Sequence, residues 1–396
     1  MVSKEMARLG TERSVIREIF EIAKVRNAEV GEENVIDFSI GNPSVPAPKQ
    51  IQDTIREFLD TLPPKAYHSY TSSVGDNGTR TAIANNLNKR FGTDYDMNNL
   101  FMTCGSAASL TICFKAIITS PEDEIIVFIP FFPEYKVYIE GQGAKMVLVD
   151  PDKDLNIDLA LLEKAINKNT KAIVINSPNN PAGIIYPESN LKAVAELLNR
   201  KSKEYGHAIY IITDEPYREL VYTDEKVAHI PSIYDNTLVC YSWSKSISLP
   251  GERIGYVLVP NKMEDSRTVY AAVGGAARTL GYICAPSLFQ KVIEKCVDVE
   301  PDISVYRKNR EILLNGLKEA GYHVANPGGA FYLFVEAPEK DGEKFYERAK
   351  KYDLLIVPGA SFGSKEYVRL AYCIDTEKIE KSIPIFKKLM EEYNAQ

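Results

Sequence analysis

"TLVCYSWSKSISLPGERIGYVLVP" (237–260) decides the fold. Two apolar runs, "TLVCY" and "YVLVP", stand either side of a polar insertion carrying Ser242, Ser244, Lys245, Gly251, Arg253 and Gly255. Continuous apolar runs predict strands buried on both faces, because a strand with one wet face alternates. Working outward, similar runs recur in "DEIIVFIP" (123–130), "AKMVLVD" (144–150), "KAIVINSP" (171–178) and "AIYIITDEPY" (208–217). Helical patterns such as "NIDLALLEKAINKN" (156–169) and "NLKAVAELLNRKSKEY" (190–205) lie between several of them. Strands spaced by helices predict a mainly parallel α/β sheet covered on both sides. Ligands of such sheets collect outside the carboxyl ends of the strands. Polar residues fall there: Asn180 after "AIVIN", Asp214 after "IYIIT" and Lys245 after "LVCY".

The C-terminal third has a different pattern. Residues 303–320 and 375–393 have helical amphipathicity, while "GGAFYLFVEAP" (328–338), "LLIVPG" (354–359) and "YVRLAYC" (367–373) have strand character. This predicts a smaller α+β lobe, with an N-terminal helix over about 11–26 packing against it.

Composition narrows the partners. The 396 residues are 45% hydrophobic and 26% charged, as in ordinary globular proteins, and the net charge of −7 is spread along the chain without a basic arm. That argues against nucleic acid. No apolar stretch reaches the ~20 residues of a membrane helix, and the charged N-terminus lacks a signal-peptide core. Six cysteines without CxxC spacing predict reduced, buried thiols and a cytoplasmic setting. Neither a nucleic acid nor a membrane is expected as a partner, and no metal site is expected.

Each polar cluster admits a plain explanation and a chemical one. Lys245 is either a solvated amine or a desolvated nucleophile able to form an imine. Ser242, Ser244 and the Arg253 fork would suit a phosphate, with Gly251 and Gly255 letting the backbone approach closely. "TCGSAASL" (103–110) is either a bare helix start or an anion cradle of free N–H groups. Asp214, in "TDEPY" (213–217), either caps a helix or keeps a ring nitrogen protonated, with Tyr217 donating to an oxygen of that ring. Asn180, in the turn "NSPNNPAG" (176–183), could reach the same oxygen. Phe132, in "PFFPEY" (130–135), is a core aromatic or a stacking platform. Arg369, in "VRLAY" (368–372), sits in an apolar strand and needs an anion, internal or from a substrate.

In order, these segments closely resemble the class I/II aminotransferases, pyridoxal-phosphate enzymes of fold type I related to aspartate aminotransferase. The resemblance spans nearly the whole chain, from "IGNPSVPAP" (40–48) and "YTSSVGDNGTR" (70–80) to "PGGAFYLF" (327–334), "VPGASFG" (357–363) and "VRLAY". Each segment is weak or moderate singly, but the ordered set, with Arg253 eight residues after Lys245, is very specific. It implies a large domain over 49–290 with a mainly parallel seven-stranded sheet, a small domain over 291–396, and an N-terminal segment over 1–48 packing with the latter. It implies that Lys245 binds pyridoxal 5′-phosphate covalently and shuttles the substrate proton, and that Asp214 pairs with the ring nitrogen. Tyr217 and Asn180 would bond the ring oxygen, and Phe132 would stack on the ring. Ser106 and Ala107 through their N–H groups, with Ser242, Ser244 and Arg253, would hold the phosphate. Tyr70 would reach that phosphate from a second subunit, which implies a homodimer. Arg369, with Gly41 and Asn180, would bind the substrate carboxylate.

The resemblance implies amino transfer from an L-amino acid, aspartate-like or aromatic, to a 2-oxo acid such as 2-oxoglutarate, in a ping-pong cycle. A carbon–sulfur β-lyase shares the lysine region but usually lacks the "GERIGY" ending. A non-catalytic regulator would need a DNA-binding module before Gly41, and about 40 residues precede it. Alanine at 107 leaves aspartate unsecured, and Arg278 is a candidate for a second substrate carboxylate.

Overall fold

The apolar runs pair into one sheet. In the computed structural model, which describes residues 2–12 and 14–395, seven strands lie in a fixed order. That order is Leu100–Thr103, Gly255–Leu258, Thr237–Ser242, Tyr210–Asp214, Thr170–Asn176, Glu124–Phe128 and Lys145–Val149. Gly255–Leu258 runs antiparallel to both neighbours, and every other pairing is parallel. This is the mainly parallel fold type I sheet.

Both faces are covered, and the side-chain alternation shows it. Ile125, Val127 and Val174 join one apolar cluster, whereas Ile126, Phe128 and Ile173 join another on the opposite face. Such strands carry no polar face, which is why their sequences read as unbroken apolar runs.

One strand had no sequence signal of its own. Leu100–Thr103 has only four residues, too few for a periodicity, and its place at the sheet edge comes from pairing with Gly255–Leu258. It matters because helix Ser106–Ile117 starts directly after it, through a turn at Gly105 with φ of 88°.

The C-terminal region forms a three-stranded antiparallel sheet, Val357–Pro358, Tyr367–Ala371 and Tyr332–Glu336, in that order. Helices Ser304–Glu319 and Thr376–Asn394 pack on each other. Ile36–Asp37 pairs in parallel with Leu354–Leu355, tying the N-terminal segment to this region. Instead of one helix over 11–26, that segment has two, Lys4–Thr11 and Val15–Val30. Ser14 causes the second start: its backbone is extended and its Oγ accepts the Arg17 N–H at 3.4 Å. Ile19 and Ala23 of this helix are buried in the same apolar cluster as Val35, Ile36 and Leu355.

All six cysteines are free, four of them buried and Cys104 and Cys284 half-buried. Among the described residues, no helix is long and apolar enough to cross a membrane.

Candidate active site

Three neighbouring parallel strands end in Asn176, Asp214 and Ser242. Asn176 and Asp214 stand side by side in register, so their side chains reach one crevice. A cavity of about 530 Å³ opens there. Gly41, Ser106, Ala107, Phe132, Asn180, Asp214, Tyr217, Ser242, Ser244, Lys245, Arg253 and Arg369 all line it. Tyr70 does not. It is 94% exposed on the surface of its own chain.

Asp214 is buried, and no helix begins after it, since residues 216–219 form a turn. The helix-cap alternative therefore fails. Its Oδ2 accepts the Tyr135 hydroxyl at 2.7 Å, and Asn176 Nδ2 donates to its backbone carbonyl at 2.8 Å. Its Oδ1 is buried without a partner. Burial pushes the carboxyl up to about 7, with the Tyr135 hydrogen bond pulling the other way. An ionised carboxylate here lacks a cation.

Lys245 Nζ donates to the Gly41 carbonyl. Burial pushes its amine down to about 8, and the guanidinium groups of Arg369 and Arg253 push the same way against the Cys373 thiol. A lysine so shifted is partly free base at neutral pH, which makes it a nucleophile and a proton carrier.

On one wall the hydroxyls form a chain, Ser106 donating to Ser242 at 2.8 Å and Ser242 to Ser244 at 3.2 Å. They lie where helix Ser106–Ile117 begins, with its first N–H groups unpaired within the helix. A Cβ on Gly105 would stand 3.0 Å from Arg253 Nη2, so the guanidinium closes over the turn. This is an anion cradle.

Opposite in chain order, Arg369 is fully buried in Tyr367–Ala371. Nη1 donates to Asn180 Oδ1 at 3.0 Å and Nη2 to the Ser39 carbonyl, while Nε has no partner. The Tyr332 ring lies 4.6 Å from its guanidinium carbon. Burial pushes its pKa down, yet a guanidinium remains charged.

A family model described as aminotransferase class I and II matches residues 33–384. The chain belongs to this aminotransferase family. A probable aspartate aminotransferase of Methanocaldococcus jannaschii is 29% identical, over 96% of this chain and 97% of that one. An aspartate aminotransferase of Pyrococcus horikoshii is 31% identical, over 96% and 95%. The crystal structure of an aminotransferase from Eubacterium rectale superposes with a TM-score of 0.98 at 52% identity, covering 100% of this chain and 99% of that one.

Several residues in or directly behind this aminotransferase's cavity escaped the sequence. Tyr135, the last residue of "PFFPEY", holds Asp214, and its neighbour Phe132 meets it edge-on at 5.6 Å between ring centres. Tyr332 bonds the Tyr217 hydroxyl at 2.9 Å, and any Cβ at Gly41 would collide with it. Ser14, Ile16, Arg17 and Phe20 enter from the N-terminal helix. Only the tyrosines carried a possible signal, an O–H within an apolar run that needs a partner. Arg278, on helix Ser266–Leu280, is exposed and does not line this chain's cavity. Among the described residues, no cluster of histidine, cysteine and carboxylate side chains suits a metal.

Proposed function

We propose that the cavity binds pyridoxal 5′-phosphate and moves the amino group of an aspartate-like or aromatic L-amino acid to a 2-oxo acid such as 2-oxoglutarate. The observation that carries this is the pair of opposed anomalies in one cavity. A buried carboxylate oxygen lacks a partner, and burial pushes a lysine amine beside the Gly41 carbonyl down to about 8. A protonated ring nitrogen supplies the bond that Asp214 Oδ1 lacks, and an aldehyde suits the free amine, so the residues fit this cofactor. When bound, the cofactor supplies a protonated ring that holds the electron pair left when the α-proton departs.

The chain's residues then divide the work. Lys245 Nζ takes the proton from the substrate α-carbon and returns it one position away, as a positioned base and acid. Asp214 keeps the ring nitrogen charged, and Tyr135 fixes that carboxylate. Asn180 Nδ2, which has no protein partner among the described residues, and the Tyr217 hydroxyl serve the ring oxygen, with Phe132 against the ring face. Ser106, Ala107, Ser242, Ser244 and Arg253 hold the phosphate. Arg369, with Gly41 and Asn180, clamps the substrate α-carboxylate as a bidentate fork. Because the amino group stays in the site between half-reactions, the cycle is ping-pong.

We divide the chain into residues 1–48, 49–290 and 291–396, with the first segment serving the small domain and the second holding the cofactor. We further propose a homodimer in which Tyr70 completes the partner's phosphate site. Exposed Tyr70, Tyr282 and Ile283 support this, since Cys284 Sγ donates to the Thr71 carbonyl at 3.6 Å and brings the two segments together. The free thiols support a reducing, cytoplasmic setting.

A donor scan tests the activity. Aspartate, phenylalanine, tyrosine, alanine, methionine and cystathionine are offered with 2-oxoglutarate, and acceptor-dependent glutamate formation is expected. Pyruvate and ammonia released from cystathionine without an acceptor would point to the β-lyase instead.

A further inference from the structure

Among the described residues four cations line the cavity, and the proposed function employs three of them, Lys245, Arg253 and Arg369. The fourth is Arg17. It stands in the first turn of helix Val15–Val30, where its backbone N–H is capped by Ser14. A positive side chain there works against the positive end of the helix dipole, so helix stability does not explain it. The other two cations of the same helix are paired, Lys24 with Glu21 and Arg26 with both Glu29 and Asp353. The Arg17 guanidinium has no hydrogen bond or ion pair among the described residues.

Position completes the case. Ile19 and Ala23 anchor the helix by burial, and the face next to them presents Ile16, Arg17 and Phe20 to the cavity. Among the described residues the cavity's lining carries one carboxylate, Asp214, which the proposed function gives to the ring nitrogen. With a phosphate on Arg253 and an α-carboxylate on Arg369, one positive charge of the described lining, Arg17, is left over, beside two apolar side chains. A substrate bearing a second carboxylate on a short methylene chain matches both features.

We propose that Arg17 binds the side-chain carboxylate of acidic substrates, making aspartate or glutamate and their 2-oxo acids the preferred pair. This rests on the aminotransferase function proposed above and names its substrate class. Arg278, the candidate raised by the sequence, lies outside this chain's cavity.

The test compares wild-type holoenzyme with Arg17→Gln, Arg17→Lys and Arg278→Gln. For each, kcat/KM is measured with glutamate and with phenylalanine on the same preparation. Their ratio is independent of the fraction folded. Losing one charge-assisted contact should lower that ratio ~10–100-fold in Arg17→Gln, with partial recovery in Arg17→Lys. Calorimetry gives a readout free of turnover: maleate, a non-reacting dicarboxylate, should lose affinity by a similar factor relative to propionate. An unchanged ratio in Arg17→Gln overturns the proposal, as does a loss that follows Arg278→Gln alone. A wild-type enzyme that uses only monocarboxylate donors also overturns it. No transfer from any donor refutes the broader function instead, and with it this assignment.

Discussion

Replacing Asp214 by asparagine should move stability and activity in opposite directions. Burial raises the carboxyl from 3.8 to about 7. The folded chain therefore holds this proton over a range in which the unfolded chain has released it. Stability falls as pH rises from ~4 towards ~7 and then levels off, at a cost of roughly 4 kcal/mol as an upper bound. Asparagine keeps the shape and can still accept from the Tyr135 hydroxyl, but it carries no charge. Cofactor-free Asp214→Asn should thus match the wild type near pH 4 and exceed its stability by up to that amount at pH 8. Urea midpoints of the stripped proteins at the two pH values measure this difference. Amino transfer should fall ~10²–10³-fold, the usual effect of losing one charge placed for the transition state. A cofactor-free variant that is less stable than wild type at pH 8 would refute the reasoning. So would a stability difference that ignores pH, or activity within threefold of wild type.

Two further outcomes follow from the same geometry. Burial pushes the Lys245 amine down to about 8, so the rate at which stripped enzyme takes up pyridoxal 5′-phosphate, followed by absorbance, should rise with pH through that value and then flatten. A midpoint near 10.5 would mean that the lysine is solvated. Gly105→Ala forces φ of 88° on a residue with a Cβ and crowds Arg253 Nη2 at 3.0 Å. It should weaken cofactor binding by ~10-fold and stability by ~1 kcal/mol, read by fluorescence titration and thermal melting.

The sheet was legible because strands buried on both faces leave continuous apolar runs, and the residues just past those runs had to be polar for a reason other than solvation. Asn180, Asp214 and Lys245 stood out on that ground, and the cavity gathers all three. What distinguished Asp214 from a helix cap was the turn after it, which no local propensity reveals. Arg17 was invisible for a different reason. Its helix reaches the cavity through burial of Ile19 and Ala23 against distant chain, and nothing within a local window encodes that contact. Leu100–Thr103 carries no period in its four residues, although the helix start after it is readable in "TCGSAASL". Tyr135 and Tyr332 act through single hydroxyl contacts, each with a residue far off in sequence.

The central claim is that Lys245 is the covalent attachment point of pyridoxal 5′-phosphate. Treating the holoenzyme with sodium borohydride fixes an imine as a stable amine, and peptide mapping by mass spectrometry then locates it. The account predicts one modified peptide, containing residues 242–253, with the added mass on Lys245. Modification of a different lysine, or none at all in protein that shows cofactor absorbance, would contradict it.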